Sequence, residues 1–146
     1  MKRTEDDWHS YFMRLAYDVA HGSKDVDMQV GCVLRDVDNT LLATGYNGPP
    51  RGAPDDELPH AGEERRLWYI HSEVNALLAG LAAVGRRMGW LSGVVLYCTN
   101  RPCADCLRLA SHLGIRRVIY GVDTLGAKRP ASEELARLMG VTVQCI

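Results

Sequence analysis

The second half of the sequence alternates short apolar runs with segments of helical periodicity, and this alternation constrains the fold more than any other feature. The apolar runs are Val94–Cys98, Arg117–Tyr120 and Val141–Ile146, and the helical segments between them are Cys103–Leu113 and Ser132–Met139. Ser132 is the predicted N-cap of the last helix. Strands that alternate with helices pair in parallel through right-handed crossovers. We therefore predict a β-α-β-α-β unit with a parallel sheet.

The first half of the sequence adds a helix, a hairpin, a long loop and a second helix. Thr4–His21 has an apolar face at helical spacing, formed by Trp8, Tyr11, Phe12, Leu15 and Val19. The runs Gln29–Leu34 and Leu41–Tyr46 flank a turn and predict an antiparallel hairpin. A proline-rich loop over residues 47–59 precedes a helix at Ser72–Val84. The order αββαβαβαβ predicts an α/β fold with three α/β/α layers around a five-stranded mixed sheet.

Composition limits the class of protein. The chain has 146 residues, of which 47% are apolar and 24% charged, and we expect one domain over residues 1–146. The net charge of −1 argues against binding of a nucleic-acid polymer or a membrane surface through bulk charge. No apolar run reaches the roughly 18 residues of a membrane span, and the N-terminus lacks the apolar core of a signal peptide. We expect a cytoplasmic protein with free thiols.

Residues that can bind a metal gather at the starts of two predicted helices. His71 precedes one helix, and Cys103 and Cys106 open the next as a Cys-x-x-Cys pair. The dipole at a helix N-terminus favours thiolates. One imidazole and two thiolates suit zinc, and the sequence offers no fourth ligand. Three protein ligands with an open position for water are typical of catalytic zinc.

Glu73 stands two residues after His71, in the first turn of the same helix. This spacing lets the carboxylate face the metal cavity without binding the metal, so that it can move a proton to a leaving amine. H-x-E followed by P-C-x-x-C is the signature of zinc nucleobase deaminases. On their own, the two cysteines would equally fit a redox or structural pair, and Glu73 would fit a favourable helix-terminus acid.

Further stretches extend the pattern over nearly the whole chain. They are Tyr11-Phe12-Met13, Ser23-Lys24-Asp25, Gln29-Val30-Gly31, Gly45–Gly52, Asp55–Pro59, His71–Ala76 and Pro102–Cys106. With them the chain resembles the deoxycytidylate deaminases of the cytidine deaminase superfamily. The resemblance implies a cytidine-deaminase-like fold and one catalytic Zn²⁺ bound by His71, Cys103 and Cys106. It also implies that Glu73 is the proton shuttle and that hydroxide attacks C4 of the pyrimidine.

The resemblance also implies a substrate and partners. The reaction is the hydrolysis of dCMP to dUMP and ammonia, which supplies the precursor of dTMP. Asn47 is implied to hydrogen-bond the sugar, and we expect further substrate contacts from Ser72, Lys24, Arg51 and Asn75. The family resemblance further implies a homo-oligomer, a hexamer or smaller, with dCTP and dTTP as effectors. Mg²⁺ is the expected companion of such a nucleotide effector.

Three departures from the family pattern leave the substrate open. Ser72 stands where the family usually has Ala, and Gly22 where many members have an Arg that meets the phosphate. No aromatic residue follows Tyr120, although this segment often carries one near the base. The candidates for a phosphate contact are Lys24, Arg51, Lys128 and Arg129. The alternatives are the same chemistry on another or modified cytosine nucleotide or nucleoside, and a zinc-stabilised nucleotide-binding module.

The remaining histidines, cysteines and arginine pairs have ordinary structural interpretations. Cysteines in predicted strands belong in the core, and these are Cys32, Cys98 and Cys145. Histidines outside the motif are expected on the surface, and these are His9, His21, His60 and His112. The pairs Arg65-Arg66 and Arg86-Arg87 are expected on solvated faces.

Overall fold

The computed structural model describes residues 1–85 and 87–146. This part of the chain holds four α-helices and five β-strands, and the five strands form one sheet. Their bounds are α1 Glu5–Ala20, β1 Gly31–Arg35, β2 Leu41–Tyr46, α2 Ser72–Val84, β3 Val95–Asn100, α3 Ala104–His112, β4 Arg117–Val122, α4 Arg129–Met139 and β5 Thr142–Cys145. Arg86, predicted on a solvated face, lies outside the described residues. None of the described helices combines the length and apolar character needed to cross a bilayer.

The sheet is mixed, as predicted, with the strand order β2-β1-β3-β4-β5. β1 pairs antiparallel with both β2 and β3, and β3, β4 and β5 run parallel. Cys32 lies opposite Cys98, so residue 30 lies opposite residue 100 where β1 begins and β3 ends. This edge of the sheet holds the carboxyl ends of the parallel strands, where α/β proteins commonly bind ligands.

Helices cover both faces of the sheet and enclose two apolar clusters. On one face α1 packs alone, with Phe12 and Ala16 against Val33, Tyr97 and Ile119. On the other face α2, α3 and α4 pack on Cys32, Leu34, Leu96, Cys98 and Val118. Side chains alternate between the two faces along each strand, which gives the three-layer α/β/α architecture that was predicted.

The buried face of α1 differs from the predicted one by about one residue. His9, Phe12, Met13, Ala16 and Ala20 are buried, whereas the aromatic and aliphatic side chains predicted for this face, Phe12 excepted, are half-buried at its rim. The small Ala16 and Ala20 lie closest to the sheet, where Gly31 leaves room for their backbone.

The prediction that His9 lies on the surface is therefore wrong, because His9 is 2% exposed. Its Nδ1 atom lies 2.8 Å from the hydroxyl of Tyr97, and Arg117 donates to its Nε2 atom at 2.8 Å. His21 and His112 are exposed as predicted, and His60 is half-buried in the loop after β2.

Helix α4 begins at Arg129, three residues before the predicted start, because Ser132 is not its N-cap. Pro130 fits the first turn, where no backbone donor is needed. Ser132 is fully buried, and its hydroxyl donates to the carbonyl of Pro102 at 3.0 Å. Cys145 is also misassigned to the core, since it is exposed on the edge strand β5, whereas Cys32 and Cys98 are buried as predicted.

Two glycines bring strand backbone into direct contact with helix backbone. A Cβ atom at Gly31 would lie 2.1 Å from the carbonyl oxygen of Ala16 in α1. A Cβ atom at Gly45 would lie 2.3 Å from the amide of Ala76 and 2.6 Å from the carbonyl oxygen of Ser72, both in α2. Any side chain at either position would push a helix away from the sheet. The first turn of α2 is therefore held at a fixed depth on β2.

Candidate functional site

The predicted metal ligands meet at the N-termini of α2 and α3, beside the carboxyl end of β3. His71 is the N-cap residue of α2, and Cys103 is the N-cap residue of α3. Neither side chain caps its own helix, so both are free to face the space between the two helices. Cys106, one turn into α3, faces the same space. The ligand atoms of these three residues all lie within 4.8 Å of one another.

The distances in this cluster fit a tetrahedral zinc ion. Nδ1 of His71 lies 3.4 Å from Sγ of Cys106 and 3.8 Å from Sγ of Cys103. Tetrahedral zinc with ordinary Zn–N and Zn–S bond lengths separates a nitrogen and a sulfur ligand by about 3.6 Å. Among the described residues the cluster has three members. The geometry therefore suits a metal site with one position left for a ligand that is not protein.

The electrostatics of the cluster favour a thiolate. The S–H of Cys106 donates to Cys103, and this hydrogen bond lowers the pKa of Cys103 to about 4 while raising that of Cys106. A hydrogen bond with Cys103 raises the pKa of His71 above its usual range. The two cysteines thus share a proton that a metal cation would displace, since thiolates are the form that binds metals.

Glu73 is the second residue of α2 and lies beside the cluster in a buried position. Burial raises the pKa of its carboxyl group above the usual range for glutamate. A carboxyl group with a raised pKa can both accept and return a proton near neutral pH, which a general acid and base must do.

Ser72 and Asn75, two of the expected substrate contacts, use their side chains within the protein. Ser72 is fully buried, and its hydroxyl lies 3.1 Å from Oε2 of Glu73 and 3.2 Å from Sγ of Cys32. The side-chain amide of Asn75 donates to the carbonyl of Tyr46 at 2.8 Å and so ties α2 to β2. Both side chains therefore have a partner within the protein, and the expected substrate contacts of Ser72 and Asn75 stay predictions.

Asn47 is buried at the same edge of the sheet, and three hydrogen bonds hold its side chain. Its Nδ2 donates to Oδ2 of Asp25 at 3.1 Å and to the carbonyl of Met28 at 2.9 Å. Its Oδ1 accepts from the amide of Val30 at 2.8 Å. Both amide protons are used, so a sugar hydroxyl can bind Asn47 only by donating to the remaining lone pair of Oδ1.

The cations proposed for phosphate differ in their surroundings. Lys24 forms an ion pair with Asp55, and Arg129 pairs with Glu133 at 2.7 Å and with Asp123 at 3.4 Å. Within residues 1–85 and 87–146, Lys128 and Arg51 have no carboxylate partner. The hydrogen bond with Cys103 raises the pKa of His71, and the nearby charge of Lys128 opposes that rise slightly. Lys128 is therefore the cation of this set that the fold brings to the metal cluster without a partner of its own.

Two contacts at the edge of the site were missed by sequence reasoning. Asn100, the last residue of β3, donates to Oγ1 of Thr124 at 3.1 Å and to Sδ of Met28 at 3.5 Å. It shares a sheet face with Cys98, the face that carries the cluster. Its position at the carboxyl end of a predicted parallel strand was a usable signal.

Arg65 is the second missed contact, and its predicted place on a solvated face is wrong. Its side chain is 11% exposed, and its Nε lies 2.7 Å from Oδ2 of Asp25. Because Asp25 also accepts from Asn47, this ion pair connects the loop after β2 to the edge of the site.

Comparison with known proteins agrees with this geometry. The family model for the cytidine and deoxycytidylate deaminase zinc-binding region matches residues 6–122. The deoxycytidylate deaminases of Mus musculus and Homo sapiens are 32% and 31% identical to this chain, and each alignment covers 97% of the chain and 82% of the relative. The solved structure of dCMP deaminase from the cyanophage S-TIM5, in complex with dCMP and dUMP, has a TM-score of 0.77 at 24% identity, over 99% of this chain and 100% of that one. The predicted fold is confirmed by this likeness.

Proposed function

The chain belongs to the cytidine and deoxycytidylate deaminase family, and from this membership we propose that it catalyses the hydrolytic deamination of dCMP to dUMP and ammonia. The observation that carries the proposal is the arrangement of His71, Cys103 and Cys106 around one point, with the buried carboxyl of Glu73 beside it. The proposed substrate is supported by the curated relatives, which are named deoxycytidylate deaminases and align with this chain over most of their length.

His71, Cys103 and Cys106 would hold the zinc ion of this family in its catalytic role. When bound, zinc lowers the pKa of a coordinated water towards neutrality and so supplies the nucleophile for attack on C4. The protein contributes two deprotonated sulfurs and an imidazole nitrogen. The fold sets their spacing by placing the N-termini of α2 and α3 side by side.

Glu73 moves the protons of the reaction. Its carboxylate accepts one proton from the attacking water and passes it to N3 of the pyrimidine as the C4–O bond forms. It then carries the second water-derived proton to the exocyclic amine. The C4–N bond breaks, ammonia leaves and C4 becomes the carbonyl carbon of dUMP. Burial of Glu73 supports this role because a raised pKa suits a group that must both take and give a proton.

Lys128 is the residue that we assign to the phosphate of the substrate, with Arg51 as the second candidate. Both are exposed cations without a carboxylate partner in the described part of the chain, and Lys128 is the one near His71. Lys24 and Arg129 are less suited because each already pairs with an acid. The unpartnered lone pair of Asn47 Oδ1 remains available for a sugar hydroxyl.

Helix α2 supports assembly into a homo-oligomer. Its sequence is apolar on nearly every side, yet Leu78 is 57% exposed, and apolar residues all round are typical of a helix that is covered. The number of subunits, the dCTP and dTTP effectors with Mg²⁺, the single-domain assignment and the cytoplasmic location stay predictions.

A parallel assay of zinc-loaded protein on dCMP, deoxycytidine and dCTP tests the proposal, with Glu73→Ala as the blank. We expect turnover of dCMP and strong rejection of the nucleoside, because a site that pairs with a phosphate is left with an unpaired charge by the nucleoside. Turnover of another cytosine compound would keep the chemistry and replace the substrate. If none of the three compounds is turned over and the zinc ion is held by four protein ligands, the protein is a nucleotide-binding module and the proposed enzyme activity is wrong.

A further inference from the structure

Ser72 places a buried hydroxyl against Glu73 that the chemistry above does not use. Its Oγ lies 3.1 Å from Oε2 of Glu73 and 3.2 Å from Sγ of Cys32. We infer that Ser72 is a positioning residue, held by Cys32, that fixes Oε2 of Glu73 and leaves Oε1 as the oxygen that carries the proton. This inference rests on the proposed function, since it concerns the same proton transfers.

The directions of the two hydrogen bonds follow from counting protons. A serine hydroxyl has one proton to donate and can accept a second bond. Oε2 of the carboxylate can only accept, so the Ser72 proton is directed to Glu73. Cys32 is fully buried, and burial keeps its sulfur as the thiol. The thiol therefore donates to Ser72, and the chain of donors runs from Cys32 through Ser72 to Glu73.

The framework around Ser72 cannot easily shift. Ser72 is the first residue of α2, and its carbonyl oxygen touches the backbone of Gly45 in β2. Cys32 lies within β1, between β2 and β3. Ser72 is thus held by contacts with two strands. Its hydroxyl in turn restricts the carboxyl group of Glu73, which is only 5% exposed.

This contact stays useful throughout the reaction. The hydrogen bond from Ser72 is made to Oε2, so the two oxygens of the carboxyl group have different surroundings. The carboxyl group therefore keeps one orientation while it takes a proton and returns it. The family usually has Ala at this position, so the device belongs to this chain rather than to the shared chemistry.

The kinetic test uses Ser72→Ala with Ser111→Ala as the matched control. Ser111 is a buried serine of α3 whose hydroxyl donates to the carbonyl of Arg108 at 2.9 Å. Loss of a hydrogen bond to a charged group predicts a kcat about tenfold lower for Ser72→Ala. We expect unchanged KM and zinc content, and no kinetic change in Ser111→Ala. A wild-type kcat in Ser72→Ala, or a loss that appears in KM or zinc content instead, overturns the inference.

Two further variants test the hydroxyl of Ser72 and the thiol of Cys32 separately. Ser72→Thr retains the hydroxyl donor and is expected to keep kcat closer to the wild-type value than Ser72→Ala does. Cys32→Ala removes the donor behind Ser72 and lowers kcat in the same direction by a smaller factor. If Cys32→Ala and Ser72→Thr instead change KM or zinc content and leave kcat at the wild-type value, packing explains the effect and the inference fails.

A double-mutant cycle measured by thermal unfolding tests the contact between Ser72 and Glu73 without any substrate. Ser72→Ala lowers Tm more in the wild-type background than in the Glu73→Ala background, because in the latter only the hydrogen bond with Cys32 is left to lose. Equal Tm losses in both backgrounds would show that the two side chains are not coupled. If the wild-type protein deaminates no cytosine compound, the proposed function fails, while this cycle still decides the link between Ser72 and Glu73.

Discussion

Nδ1 of His71 lies 3.4 Å from Sγ of Cys106, although 35 residues separate them in the sequence. A metal ion between them therefore ties the N-terminus of α2 to the N-terminus of α3. The loss of one thiolate should then affect both metal content and stability.

We accordingly expect Cys106→Ser to lose the zinc ion that the wild-type protein binds at about one per chain. Elemental analysis gives the metal content, and thermal unfolding with and without a chelator gives the stabilisation. Cys145→Ser is the control, because that thiol is exposed on β5. Full zinc content in Cys106→Ser would contradict the ligand assignment.

Replacement of Glu73 separates metal binding from proton transfer. Glu73→Gln keeps the shape of the side chain and removes its ability to carry a proton, so zinc content should stay at the wild-type value. We expect kcat to fall by about 10³-fold, within the usual range for general acid–base groups. Steady-state deamination of dCMP measures the loss, and a variant that retains substantial turnover would remove Glu73 from the mechanism.

Lys128→Ala tests the assignment of the phosphate contact. Loss of a charge-assisted hydrogen bond should raise the KM for dCMP by about tenfold or more, with little change in KM for any nucleoside that is turned over. Arg129→Ala is the neighbouring control, because its guanidinium already pairs with Glu133 and Asp123. A larger effect in the Arg129 variant than in the Lys128 variant would reverse the assignment.

The ion pair between Arg65 and Asp25 should contribute strongly to stability. Both side chains are largely buried, at 11% and 4% exposure, so Arg65→Ala leaves a buried carboxylate without its cation. We expect the free energy of unfolding to fall by about 3 kcal/mol. Arg66→Ala breaks an exposed pair with Glu63 and should cost about 0.5 kcal/mol or less. Urea unfolding of the two variants makes the comparison, and equal losses would refute it.

His9 predicts a pH dependence of stability. Burial, followed by the nearby charge of Arg117, lowers its pKa below 6.5, and Glu5 at 3.7 Å opposes that shift only in part. The unfolded chain therefore binds a proton at this histidine more readily than the folded protein does. The free energy of unfolding is not reduced by this effect above pH 6.5, and it falls as the pH drops below 6.5. In urea unfolding across this window we expect a weaker dependence in His9→Gln. His21→Gln, at an exposed position, should match the wild-type protein.

Local patterns predicted the elements that local forces define. The bounds of α2 agree with the prediction, and the mixed sheet follows from the alternation of strands and helices. The metal cluster was predictable because its three residues stand at helix starts that the sequence marks clearly. Each of these features depends on residues that are close in sequence or on a short motif.

The errors arise where a polar side chain has a distant partner. Ser132 suits an N-cap by type, but its hydroxyl bonds to Pro102, which is 30 residues away. His9 looked polar and exposed, but Tyr97 and Arg117 satisfy it inside the protein. Arg65 was expected on a solvated face, but its guanidinium lies 2.7 Å from Asp25, which is 40 residues away. Hydrogen-bond partners of this kind cannot be seen in residue type or periodicity.

The two backbone contacts at Gly31 and Gly45 also set which parts of this protein can be redesigned. They clamp β1 to α1 and β2 to α2 without help from the long segment that connects β2 to α2. The metal ligands should therefore keep their places when exposed positions of that connecting segment are varied and Arg65 keeps its ion pair with Asp25. Directed evolution of substrate preference can concentrate on the exposed positions of residues 48–70, with Arg65 retained, and leave the layers held by Gly31 and Gly45 unchanged.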